Sequence, residues 1–233
     1  MNKLNKKAYI SLLVILLTDP FGFGGENRDF ESWSSIEVNF KPDKKWTLGI
    51  EGELRMQNNA SEVDQYFTQL HIGYEIFNDF ELGGGLRYIR NNDTRGKITG
   101  YENHFRFHFE ASYRHKIGPL SFRHRVRYQN KNEWGVSPAG CDYANRHIRF
   151  KTALTYKIKN WKLDPVFSAE IFHHFEEGEE NGFDKYWLTI GTAYKFKKLG
   201  KIGLFYRMER TLNTVLPETT DILMVKYTYV FKT

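Results

Sequence analysis

An all-β, up-and-down antiparallel transmembrane barrel of ten to twelve strands is the fold this sequence predicts, on three observations. Apolar and polar residues alternate with period two along almost the whole chain from Phe30 onward, the pattern of strands with one apolar and one polar face. The links between alternating segments are short and long in turn, as in barrels with tight turns on one rim and extended loops on the other. Aromatic residues recur eight positions apart on the apolar face, at Tyr66 and Tyr74, Phe105 and Tyr113, and Tyr186 and Tyr194. Eight residues rise about 21 Å at roughly 3.4 Å per residue and 40° tilt, near the 25 Å band that aromatic girdles flank.

Composition points the same way. The 233 residues are 40% hydrophobic, 16% aromatic and 27% charged, with a mean hydropathy of −0.59. No apolar run approaches the roughly 20 residues of a spanning helix, so a helical membrane protein is excluded. Nineteen Phe, 14 Tyr and 5 Trp beside 19 Gly and 6 Pro favour pleated strands over helices. The single Cys141 excludes an internal disulfide framework.

The first residues read as a signal. Lys3, Lys6 and Lys7 precede the apolar stretch Ala8 to Leu17 and the small-residue site Gly22-Phe23-Gly24, the order of a secretory signal peptide. A signal peptide is expected over residues 1–24 and the barrel over 25–233. Its removal takes three Lys and one Asp, leaving 31 basic against 27 acidic side chains, a net charge of +4.

The clearest strand is Trp46–Met56: Trp46, Leu48, Ile50, Leu54 and Met56 share one face with Gly52, and Thr47, Glu51, Glu53 and Arg55 share the other with Gly49. The alternation recurs in Tyr66–Ile76, Phe80–Tyr88, His104–Arg114, Leu120–Gln129, His147–Lys157, Leu163–His173, Lys185–Phe196, Ile202–Glu209 and Leu223–Phe231. These make ten strands with both chain ends in the periplasm. Phe30–Phe40 is then an eleventh, descending strand, which requires a partner from Gly25–Asp29, a parallel closure, or a place inside the lumen or periplasm.

Register follows from charge. Arg123, Arg125 and Arg127 alternate with apolar residues in one strand. A one-residue slip would turn all three to lipid at about 2–4 kcal/mol each, so they point into the lumen, and His124 points outward. The same parity sends Arg55, Arg87, Arg106, Arg114, Arg149, Lys151, Lys185, Arg207 and Lys226 inward, against Glu37, Glu51, Glu53, Glu110, Glu170 and Glu209. Unpaired buried ions cost several kcal/mol. Two readings follow: an Arg–Glu ladder that fills and rigidifies the interior, or a narrow water-filled pore preferring anions. The candidate network is Glu51, Glu53, Arg55, Arg106, Glu110, Arg123, Arg125, Arg127, Arg149, Glu170 and Glu209.

Other chemistries have thinner support. His104, Arg106, His108, Glu110 and Ser112 share one strand face, but neighbouring positions on that face lie about 7 Å apart and do not readily converge on one ion. No nucleophile elbow accompanies Ser112 or Ser121. His173-His174 before Glu176, Glu177, Glu179 and Glu180 has the residue types of a metal-binding loop but reads better as a solvated acidic loop at the cell surface. Gly83-Gly84-Gly85 lies within a strand and relieves crowding or bends the wall. No catalytic residue, metal or cofactor is expected, and the Arg residues interleave with apolar ones rather than forming a nucleic-acid stripe.

Several short motifs carry a family resemblance: Trp33, Lys45-Trp46-Thr47-Leu48 leading to Glu51-x-Glu53-x-Arg55, Arg123-x-Arg125-x-Arg127-Tyr128, and Pro165 followed by Glu170-x-Phe172. In these the chain resembles the outer-membrane family catalogued as domain of unknown function 2490, over Asp29 to Phe231; Lys185 stands where that pattern favours Arg. The resemblance implies a signal-bearing barrel of a Gram-negative outer membrane and brings no reaction, ligand or catalytic residue. Expected partners are outer-membrane lipids, lipopolysaccharide and the barrel assembly machinery, the last through Tyr227, Tyr229 and Phe231. Competing classes are an outer-membrane enzyme acting on lipid or lipopolysaccharide, and a soluble periplasmic lipocalin-like binder.

Overall fold

The period-two segments form eleven strands in a closed barrel. They are β1 (Asn27–Lys41), β2 (Trp46–Gln57), β3 (Glu62–Phe77), β4 (Phe80–Asp93), β5 (Gly100–Ile117), β6 (Leu120–Glu133), β7 (Asn145–Tyr156), β8 (Asp164–Phe175), β9 (Gly182–Phe196), β10 (Gly200–Thr211) and β11 (Glu218–Lys232). The computed structural model describes residues 27–94, 99–135, 145–175, 181–197 and 199–232. The expected signal segment, Cys141 and the four Glu of the acidic loop lie outside the described residues.

Neighbours in sequence pair antiparallel around the wall, and the seam is parallel. β1 joins β11 from Asn27↔Glu218 to Lys41↔Lys232, and on its other edge β1 pairs antiparallel with β2. The eleventh strand is therefore accommodated by the parallel closure, which leaves neither end strand with an open edge.

Strands extend further toward the long loops than alternation alone indicates. β4 runs on through Asn91-Asn92-Asp93 and β6 through Asn130 to Glu133, because ladder hydrogen bonds persist where both faces are polar. At the opposite rim the links are tight. Gly118 between β5 and β6 has φ +58, where a Cβ would be strained, and Asp79 closes the β3–β4 turn at φ 68, a conformation Asp tolerates.

Burial is inverted relative to a water-soluble domain. Among the described residues the buried side chains are six apolar ones, Trp33, Phe67, Ile89, Phe172, Trp187 and Ile222, against eighteen polar or charged ones. Large apolar groups meanwhile line the outer wall: Ile36 is 61% exposed, Leu70 57%, Leu86 51%, Phe109 64% and Phe150 46%. The outward His124 is the fifth of the fourteen residues of β6, on the tight-turn side of its middle. Its ring stacks on His115 at 5.2 Å and His115 stacks on Phe122 at 4.9 Å, while His124 Nδ1 meets Thr152 Oγ1 at 3.0 Å.

Candidate functional site in the barrel lumen

The lumen is built by cross-strand register, which brings basic side chains opposite one another. Arg114 pairs with Arg123, Arg106 with both Arg87 and Lys131, Arg125 with Lys151, and Arg127 with Arg149. Like charges directly opposite destabilise a sheet, so carboxylates must bridge them. Glu81 from β4 takes Arg114 at 3.1 Å and Arg123 at 3.2 Å. Glu110 from β5 accepts Arg127 Nε at 2.8 Å and stands 3.7 Å from Arg125. Glu170 from β8 takes Arg125 at 2.7 Å, Arg149 at 2.8 Å and Lys151 at 3.8 Å.

A second cluster surrounds the seam. Lys226 of β11 lies 2.7 Å from both Glu37 of β1 and Glu51 of β2, and Glu51 also stands 4.0 Å from Arg87. Gln69 extends this network, donating to Glu51 at 3.4 Å and accepting Arg87 Nε at 2.9 Å. Likewise Gln129 accepts Arg149 Nη1 at 2.9 Å. Neither carboxamide was singled out from the sequence, although both lie on the inward parity of their strands.

Glycines make room for the large side chains. A Cβ on Gly49 would fall 2.2 Å from His71 Cε1 and 2.4 Å from Asn39 Oδ1, and one on Gly85 would fall 2.5 Å from His108 Cε1. The imidazoles therefore lie across the bare backbone of the neighbouring strand. The role of Gly85 is relief of crowding, one of the two anticipated for the triplet.

Toward the long loops the lumen becomes aromatic, a feature the sequence reading did not reach. Trp33, Phe172, Trp187 and Ile222 form one cluster, with Met224 packed against it. Trp187 meets Phe172 edge-on at 4.6 Å and Trp33 at 5.8 Å. Arginines stack on these rings: Arg55 lies 3.6 Å from the Trp33 centroid, Arg207 4.0 Å from Trp187, Arg149 4.2 Å from Phe172, and Arg87 3.3 Å from Phe67. Such cation–π contacts are stronger when desolvated. Trp33 Nε1 donates to Glu31 at 2.7 Å and Trp187 Nε1 donates to Glu209, which also pairs with Lys185 at 3.2 Å. The signal was available in parity: Trp187 is two residues from Lys185, and Phe172 two from Glu170.

The eleven network residues are thus distributed rather than convergent. Glu110, Arg125, Arg127, Arg149 and Glu170 form one connected group. Arg123 belongs with Glu81, Glu51 with Lys226, and Glu209 with Lys185 and Trp187. Glu53 holds Arg55 at 2.7 Å on the same strand. Arg106 has Gln69 Oε1 at 3.5 Å. Ser112 receives Arg123 Nη2 at 3.2 Å. Near the loops, a bulge at Phe172/His173 leaves Asp184 out of register, and Asp184 meets His147 Nε2 at 2.9 Å. No group of three His, Cys, Asp or Glu among the described residues has metal-holding geometry.

A family model described as "Protein of unknown function (DUF2490)" matches residues 30–215. The chain belongs to the DUF2490 family. No curated protein and no solved structure gives a match. The DUF2490 match spans β1 through β10 and so includes every bridging carboxylate of the lumen, while the closing strand β11, with Lys226, lies beyond it.

Proposed function

We propose that this DUF2490 protein is an integral β-barrel of the bacterial outer membrane with a packed, closed lumen, serving a structural role in the envelope rather than solute passage. The observation that carries the reading is the inversion of burial, with charged side chains inside and a continuous apolar wall outside. Such a wall would be costly in water and is at home in lipid. Strand lengths of 12 to 18 residues exceed the 9–11 that a tilted strand needs to cross a bilayer. Against a water-filled anion pore stands the occlusion of its cations: Arg87, Arg149 and Arg207 are 7%, 5% and 7% exposed, and each is engaged by a carboxylate, a hydroxyl or an aromatic face. Cell fractionation, gel migration with and without boiling, and planar-bilayer recording test the reading together. The expected result is an outer-membrane fraction, a heat-modifiable folded band and no single-channel current. Recovery in the soluble periplasm without a folded band in detergent would overturn membrane residence, and a steady anion-selective current would overturn the closed lumen.

A further inference from the structure

Glu81 bridges the register pair Arg114 and Arg123, and Glu170 bridges Arg125 and Lys151, but the basic group around Arg106 has no such carboxylate among the described residues. Arg106 faces Arg87 on β4 and Lys131 on β6, and Arg87 is served by Glu51 and Gln69. Arg106 is only 9% exposed, yet no carboxylate among the described residues pairs with it. Among the described residues its one partner is Gln69 Oε1 at 3.5 Å, an oxygen already held more closely by Arg87 at 2.9 Å, and its Nε has none. A guanidinium cannot shed its proton in a protein, so the charge stays. Lys131, half-buried directly opposite, also has no ion pair or hydrogen bond among the described residues. Asp64 and Glu102 attract Lys131 from a distance, but their side-chain contacts are with other groups: Glu102 meets His104 at 3.1 Å and Asp64 accepts from Gln65 at 2.8 Å.

We propose that Arg106 and Lys131 bind a small oxyanion of the phosphate class, in the half of the lumen nearer the long loops. The guanidinium Nη groups supply planar donors and Lys131 Nζ a flexible point charge, a pairing suited to a tetrahedral oxyanion. The anion would do for Arg106 and Lys131 what Glu81 does for Arg114 and Arg123. The site lies inside the wall and is independent of the solvent outside it, so its test stands apart from membrane residence.

Equilibrium dialysis of the folded protein against radiolabelled inorganic phosphate, at fixed ionic strength in chloride, should give one phosphate per chain. Raising phosphate tenfold above half-saturation should lift the melting temperature by about 3 °C or more, with acetate giving a smaller rise. Glycerol phosphate replacing inorganic phosphate equally well would identify the ligand as a phosphate ester, and its exclusion would identify the free anion. Arg106→Gln and Lys131→Gln should each weaken binding at least tenfold, with Lys131→Gln as the variant expected to fold without difficulty. No bound phosphate in the wild type at 10 mM, or binding unchanged in Lys131→Gln, would overturn the proposal.

Discussion

Glu170 Oε1 sits between Arg125 and Arg149, 2.7 Å from the first and 2.8 Å from the second, although the two arginines come from adjacent strands. One carboxylate, 3% exposed, thereby neutralises Arg125 of β6, which register sets against Lys151, and Arg149 of β7, which register sets against Arg127. Replacing it with Gln keeps the shape and removes the charge. Breaking a buried pair costs about 3–5 kcal/mol, so Glu170→Gln should lower the melting temperature in detergent by on the order of 10 °C. Glu53→Gln should cost less, about 1–3 kcal/mol, because Arg55 keeps its seat on the Trp33 ring. Circular dichroism melts of both variants check the ranking, and equal effects would contradict it.

The aromatic layer should govern closure. Trp187 supports Arg207 and Arg149 by its faces and Glu209 by its indole N–H, so Trp187→Ala removes packing worth about 3–5 kcal/mol and takes one aromatic face from each of the two cations. Trp187→Phe keeps a stacking face while losing the hydrogen bond to Glu209 and part of the ring volume, and should fall between. The double variant Trp33→Ala/Trp187→Ala should admit water and give an anion-preferring current in planar bilayers where the wild type gives none.

Glycine positions separate side-chain from backbone crowding. At Gly49 the three atoms nearest a new Cβ are side-chain atoms of His71 and Asn39, so Gly49→Ala should cost about 1–3 kcal/mol and be rescued when His71→Ala and Asn39→Ala clear them. At Gly85 the new Cβ also meets the Leu70 carbonyl at 2.7 Å, which no side-chain change removes. Gly85→Ala should therefore stay destabilised in a His108→Ala background. Double-mutant cycles by thermal melting measure both couplings.

The orientation that the proposed outer-membrane residence implies is open to chemical labelling in a Cys141→Ser background. Val215, 97% exposed, and Asn181 lie at the long-loop rim, whereas Asn78 and Lys159 lie in the tight turns. Asn92 is a poorer probe because it belongs to β4 and donates to the Val63 carbonyl at 2.8 Å. Cysteines at 215 and 181 should react with an impermeant maleimide in intact cells, and those at 78 and 159 only after permeabilisation. The reverse pattern would invert the topology.

All eleven strands were legible in the sequence, and so was the direction of Arg123, Arg125 and Arg127, because a period of two fixes which residues share a face without knowledge of partners. Tertiary structure alone decided three things. The parallel seam between β1 and β11 is a long-range pairing with no local signal, and it brings Lys226 against Glu37 and Glu51 across the whole length of the chain. The pairing of charges is the second: Glu170 serves Arg125 and Arg149 because register and side-chain length set reach across strands, and neither is written in one strand's alternation. The third is the aromatic layer. Trp33, Phe172 and Trp187 stand on the inward faces by parity, but only barrel closure brings β1, β8 and β9 close enough for an apolar cluster to form among arginines.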